Sequence, residues 1–257
     1  MRPPTLAEIC VVACAEAWRG DGEVLASPIG LIPTLGVRLA ALTFEPDLVY
    51  TDGDALQLAL PIASDAAADA PKVVEAWMPF AKVFDVVWAG KRHVMMGATQ
   101  IDRFGNQNIA CIGPWAKPKT QLLGVRGAPG NTVNHPTSYW VPQHSPRVFV
   151  EAVDCVSGVG YDRIALSGPA ASEFHEIRRV VTNLAVLDFH PDSKRMRLCS
   201  AHPGTTVEQV QEATGFELLL PDGEVPETAP PTVEQVQLLR DVIDPDGMCK
   251  REAGVKR

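Results

Sequence analysis

The chain lacks several features that mark common protein classes. None of its six cysteines falls in a Cys-x-x-Cys pair, so the usual signature of a zinc site or a redox motif is missing. Cys10 and Cys14 stand four residues apart on a segment with helical spacing and read as core packing. The six histidines are scattered, and no two are three or four residues apart, so a metal-dependent hydrolase has no ligand pair to start from. No apolar run reaches the roughly 18 residues of a membrane span, and no leader pattern opens the chain. Positive charge is in deficit: the net charge is −8, which excludes a general nucleic-acid binder but still allows a local basic patch for an anionic ligand. Together these absences predict a reduced, soluble, cytoplasmic protein with neither membrane nor nucleic acid as partner.

What is abundant is apolar: 46% of 257 residues, enough for a substantial core. A chain of this length fits one large α/β domain or two small ones, with a Pro-rich acidic arm and a final helix over about 221–246. Thr5 with Glu8 three residues later forms a capping box, and Leu6, Ile9, Cys10, Ala13, Cys14 and Ala17 mark a buried helical face. Asp21-Gly22 turns the chain into a strand over 23–26. Ser27 to Pro33 reads as a strand-to-helix loop before a helix over 34–42. A short strand over 48–51 ends at Asp52-Gly53-Asp54, where ligands collect in open parallel sheets. Strands are expected over 86–88 and over 148–150, and Arg92 to Ala98 leads into a hairpin. His93 reads as structural. The Pro- and aromatic-rich stretch His135 to Pro142 reads as an irregular loop. Val180 to Phe189 forms a strand pair or bent strand, and residues 194–198 pair with it across a turn at His190–Ser193. Thr206 caps a helix over 207–214 that Gly215 closes as a C-cap, and a last helix covers 232–243.

The stretch from Thr99 to Asn131 carries the chemistry. It opens T-Q-I-D-R-F-G-N-Q-N, a strand–turn–strand in which Gly105 is free to take positive φ and Asn106 tolerates it. It continues through Pro118-Lys119-Thr120 to a glycine-rich loop, Gly124-Val125-Arg126-Gly127-Ala128-Pro129-Gly130-Asn131. Backbone N–H groups in such a loop can converge on one anionic atom, and Arg126 can clamp a carboxylate or phosphate in two-pronged fashion.

Gln100-Ile101-Asp102 with Phe104-Gly105-Asn106 and Asn108, the Pro118-Lys119-Thr120 step, Thr214-Gly215-Phe216-Glu217-Leu218 and Leu239 to Asp244-Pro245 resemble the β subunit of class I CoA-transferases of the glutaconate type. The resemblance runs from about residue 20 to residue 245. It implies a single domain over 1–257 built on an open mixed α/β sheet with flanking helices, an α partner in an α2β2 assembly in the family's manner, and an active site where the subunits meet. It also implies acyl-CoA as substrate, with no tightly bound cofactor beyond the CoA the substrate carries. Members that transfer CoA place a glutamate nucleophile after the strand at 48–51. This chain has Asp52, Gly53 and Asp54 there, and its Ser27–Pro33 loop keeps one glycine, Gly30. An aspartate is one methylene shorter, and a misplacement of about 1 Å is enough to cost a nucleophile its reach.

These departures resemble the branch whose small subunit serves steroid ring-cleaving CoA hydrolases in cholesterol catabolism. There the last ring of a cyclic keto acyl-CoA is opened by water, and the α partner's glutamate acts as general base. By that resemblance Gly124, Arg126, Gly127 and Asn131 meet the substrate, and Asp52, Asp54, Asn106 and Tyr139 stand beside it, with no certain catalytic residue in this chain. Two other readings stay open from the sequence: a true CoA-transferase subunit, and a non-catalytic chain that only completes the partner's site.

Overall fold

The computed structural model describes residues 2–51, 56–58 and 73–252. The chain clusters into two compact units, residues 1–95 with 229–257, and residues 96–228. Both are α/β, in keeping with the expected class.

In the first unit the capping box forms as the sequence predicts. The Thr5 N–H donates to the Glu8 carboxylate at 2.6 Å, and the Thr5 hydroxyl accepts from the Glu8 N–H. Helix α1 (Leu6–Glu16) follows, buried from Ala7 to Ala15. It packs on α2 (Leu31–Thr43), where Gly36 lets the two backbones meet: a Cβ there would lie 3.0 Å from the Ala15 nitrogen. α2 starts three residues earlier than its spacing suggested, directly after Gly30 at φ +111°. Strand β1 (Leu25–Pro28) pairs in parallel with β5 (Arg92–Met96), Leu25 opposite Arg92 and Pro28 opposite Met95. His93 is fully buried on β5; its Nδ1 lies 2.7 Å from the Asp21 carboxylate and its ring sits beside Trp18.

A small antiparallel sheet joins β2 (Tyr50–Thr51), β3 (Leu56–Leu58) and β4 (Val74–Trp77). Helix α3 (Phe80–Trp88) then covers the region expected as a strand over 86–88. Phe80, Phe84 and Trp88 recur every four residues, and that period decides for helix over strand. The unit closes with α8 (Val233–Leu238), capped by Thr232 and Gln235, and a π-helical segment at Leu239–Ile243. Arg240 there donates to Glu8 through Nε at 2.7 Å and Nη2 at 2.9 Å and to the backbone of Arg2 and Pro3, tying the last helix to the first.

The second unit is built on a mixed sheet. β10 (Pro136–Val141) runs parallel to β11 (Glu176–Thr182), and β11, β12 (Ala185–Phe189) and β13 (Met196–Ala201) run antiparallel in turn. The hairpins expected between residues 180 and 198 are present. The loop expected at His135–Pro142 is instead a strand buried from Thr137 to Val141. Its prolines stand at the ends of the run, where a missing N–H is tolerated, and its aromatics fill the core. Residues 148–150 make only an isolated bridge, Ile101 to Phe149, rather than a strand. Beyond the short helix α6 (Pro169–Ser172), helix α7 (Val207–Glu212) carries its expected capping box. Gly215 is not a left-handed cap; it is needed because a Cβ would press on the Phe149 carbonyl, to which the Gly215 N–H donates at 2.8 Å. Among the described residues no helix is long and apolar enough to cross a membrane.

Candidate active site

The second unit holds the hairpin and the glycine loop. Strands β6 (Gln100–Ile101) and β7 (Gln107–Asn108) pair antiparallel, with Gly105 at φ +83° in the turn. A Cβ on Gly105 would run into Ile177 and Phe189. The Asp102 carboxylate accepts from the N–H groups of Phe104 and Asn106, both at 3.0 Å, and from the Asn106 side chain. Burial pushes the Asp102 pKa up, and these hydrogen bonds offset part of the rise. Asn106 Nδ2 also donates to Asp162 at 2.7 Å, and its Oδ1 accepts from the Gly160 N–H at 2.8 Å. The backbone comes so close that a Cβ on Gly160 would overlap Phe104 and Asn106. Asn106 is therefore a buried clasp between the hairpin turn and the start of α5 (Tyr161–Ala165).

Beyond the hairpin, β8 (Cys111–Ile112) pairs with β9 (Thr120–Gln121), and the glycine loop leads into α4 (Ala128–Asn134). Gly124 takes φ +83°. Arg126 takes φ +52°, a left-handed backbone that costs an arginine on the order of 1 kcal/mol. Its guanidinium is exposed and makes no hydrogen bond or ion pair among the described residues. Gly127 caps α4. Asn131 lies inside, its Nδ2 3.4 Å from the Met96 sulfur and its N–H on the Gly127 carbonyl.

Tyr139 is fully buried on β10, and burial pushes its phenol pKa upward. Its hydroxyl and Gln107 Oε1 have no hydrogen-bond partner among the described residues, and both face Gly158, where a Cβ would lie 3.5 and 3.0 Å from them. The structure thus sorts the candidates. Gly124, Arg126 and Gly127 share one exposed loop. Asn131 stands behind that loop, while Asn106 and Tyr139 are interior. Asp52 and Asp54 lie outside the described residues.

The first unit has a cleft of about 410 Å³ along β1 and the end of β2. Pro28, Ile29, Met78, Phe80 and Val83 are among its apolar lining, and Ser27, Thr34, Thr51 and Arg92 supply polar groups. Arg92 Nε donates to Ser27 Oγ at 2.8 Å, and burial lowers the Arg92 pKa. Thr51 is the residue directly before Asp52. Sequence reasoning overlooked Arg92 and Gln107. The available signal for Arg92 was a cation opening the otherwise apolar run Val94-Met95-Met96; Gln107 gave none beyond its place in the hairpin.

Comparison with known proteins agrees with this geometry. The Coenzyme A transferase family model matches residues 20–213. The cholesterol ring-cleaving hydrolase IpdB subunit of Rhodococcus jostii RHA1 is 52% identical over 252 residues, covering 98% of this chain and 97% of that protein. The crystal structure of Rhodococcus jostii RHA1 IpdAB superposes with a TM-score of 0.91 at 51% identity, over 98% of this chain and 99% of that one. Glutaconate coenzyme A-transferase from Acidaminococcus fermentans shares the fold, with a TM-score of 0.80 at 24% identity over 98% of both chains. The chain belongs to the Coenzyme A transferase family, as its hairpin and glycine-loop motifs imply.

Proposed function

We propose that this chain is the small subunit of a hydrolase that opens the last ring of a steroid-derived cyclic keto acyl-CoA in cholesterol catabolism. It works as one subunit over its whole length, beside an α partner of the IpdA kind in an α2β2 assembly. One observation carries the reading. In a chain half identical to a ring-cleaving subunit, the residues after Thr51 are Asp52-Gly53-Asp54-Ala55, with no glutamate to form an acyl-enzyme.

The chemistry needs a base, a positioned water and donors for an enolate. The base is a glutamate of the α partner. Water adds to the ring ketone, and the ring carbon–carbon bond breaks with its electron pair going to the carbon alpha to the second carbonyl. That carbon then takes a proton. The new carboxylate keeps the water oxygen, and the thioester stays intact. CoA enters only as part of the substrate, and no tightly bound cofactor takes part.

Arg126 clamps a substrate carboxylate, and the N–H groups from Gly124 to Gly127 face the anion beside it. The exposed, unpaired guanidinium on the glycine loop supports this role, because it is free to meet an incoming anion. Asn131, Asn106 and Tyr139 hold the loop and hairpin in place from inside. Asp52 and Asp54, which directly follow Thr51 in the sequence, are proposed as further substrate-contacting groups.

The test is turnover of the cyclic keto acyl-CoA by the assembled complex without any acceptor acid. Ring-opened acyl-CoA is expected. Product that forms only after a free acid is added, with CoA moved onto that acid, would make the enzyme a transferase.

A further inference from the structure

Charge is unevenly distributed along this acidic chain. Between Asp102 and Glu151 there is no aspartate or glutamate in 48 residues, while five lysines and arginines fall there. Arg103 is paired with Glu151. Lys117, Lys119, Arg126 and Arg147 are exposed and make no ion pair among the described residues.

Two of these cations sit on one small arm. β8 and β9 pair Ile112 with Thr120, and residues 113–119 form the tip between them. Gly113 turns at φ +87°, the Lys117 N–H donates to the Pro114 carbonyl at 3.0 Å, and the Lys119 N–H donates to Ile112 at 2.8 Å. The tip is thus a built turn. It holds Trp115 with 67% of its surface exposed, beside exposed Lys117 and Lys119. A carboxylate at its base, Asp154, is occupied by the Gly113 N–H at 3.0 Å and by Gln100 Nε2 at 3.1 Å.

An exposed indole flanked by two unpaired ammonium groups suits a ligand with both a flat π face and several negative charges. It suits a protein partner less well, since lysine is depleted where protein interfaces are buried. In a protein of net charge −8, a stretch free of carboxylates is also what attraction of an anion requires.

We infer that the β8–β9 arm binds the phosphorylated adenosine end of the acyl-CoA substrate, with Trp115 stacking on adenine and Lys117 and Lys119 meeting the phosphates. This rests on the acyl-CoA reading above and extends it to the end of the substrate remote from the reacting ring.

The experiment uses the complex with its α partner and 3′-phosphoadenosine 5′-phosphate, the nucleotide fragment of CoA, as probe. Calorimetry on the wild type should show binding. Trp115→Ala and the double variant Lys117→Gln/Lys119→Gln should each weaken it about tenfold or more, and raise KM for the acyl-CoA by a similar factor with kcat little changed. Lys82→Gln, which removes an exposed cation of the other unit, should leave nucleotide binding as it was. Three results would overturn the inference: no nucleotide binding by the wild type, equal binding by the arm variants, or separation of the variant subunits in sedimentation velocity, which would make the arm a subunit contact. Nucleotide binding is read without turnover, so failure of the ring-opening chemistry would be seen separately.

Discussion

At the scale of single residues, Arg126 bears the most. Its left-handed backbone and its free charge make opposite demands on substitution. Arg126→Ala should lower kcat/KM for the ring substrate about 100-fold while leaving the assembly intact, because positioning is lost and the fold is not. Arg126→Gly should lose the same activity yet raise stability by about 1 kcal/mol in urea unfolding, since glycine accepts φ +52° without strain. Near-normal turnover of the alanine variant would reduce this chain to a structural role. Asn106 behaves differently, because its amide is shared among Asp102, Asp162 and Gly160. Asn106→Ala should cost about 2–3 kcal/mol by leaving buried partners unsatisfied, measured as a lower urea midpoint.

At the scale of elements, the parts that follow one local rule were legible in the sequence. The capping boxes at Thr5 and Thr206 and the Asp102–Asn106 turn depend on neighbours a few residues away, and they form as read. The misreadings came where distant packing decides. The 136–141 strand looked like a loop because proline and aromatics dominate it, and pairing with the distant β11 helps make it a strand. Gly215 looked like a helix cap, and the approach of Phe149 from 66 residues upstream gives the true reason for a glycine. The candidate site was half legible for the same reason. Motif residues could be named, but nothing local separates exposed Arg126 from interior Asn106 and Tyr139.

Buried histidines add an element-scale prediction about pH. His144 stacks on Phe149 at 3.8 Å and contacts the hydroxyls of Thr182 and Thr214, and burial pushes its pKa down to about 3. Burial lowers His175 and His202 as well. A histidine whose folded pKa is depressed binds its proton more readily in the unfolded chain. For His144 the contribution is complete above its ordinary value near 6.5 and is lost as pH falls from there toward about 3, by about 1.4 kcal/mol per pH unit, and His175 and His202 act in the same direction. For Glu8, burial alone would raise the pKa, but the Arg240 guanidinium and the Thr5 bonds outweigh it and hold the carboxyl at about 2. That contribution is lost lower still, as pH falls toward 2. The urea midpoint should therefore drop from about pH 6.5 downward, and His144→Gln should flatten the upper part of the decline; a midpoint level from pH 7 to pH 4 would contradict this.

At the scale of the whole molecule, the exposed aromatics of α3 and β4 bear on assembly. Trp77, Phe80, Phe84 and Trp88 are each more than half exposed, a denser apolar cover than a soluble monomer usually shows. The chain expressed without its α partner should self-associate or aggregate, and co-expression should restore a defined species in sedimentation velocity. A stable, active monomer would count against the shared-site account. The central claim is hydrolytic cleavage of a carbon–carbon bond with the thioester retained. Its most direct test is product mass after the complex turns over the cyclic keto acyl-CoA in ¹⁸O-water without an acceptor acid. The account predicts a ring-opened acyl-CoA with one ¹⁸O in the new carboxylate and CoA still attached. Released CoA, or no product until an acceptor acid is supplied, would contradict it.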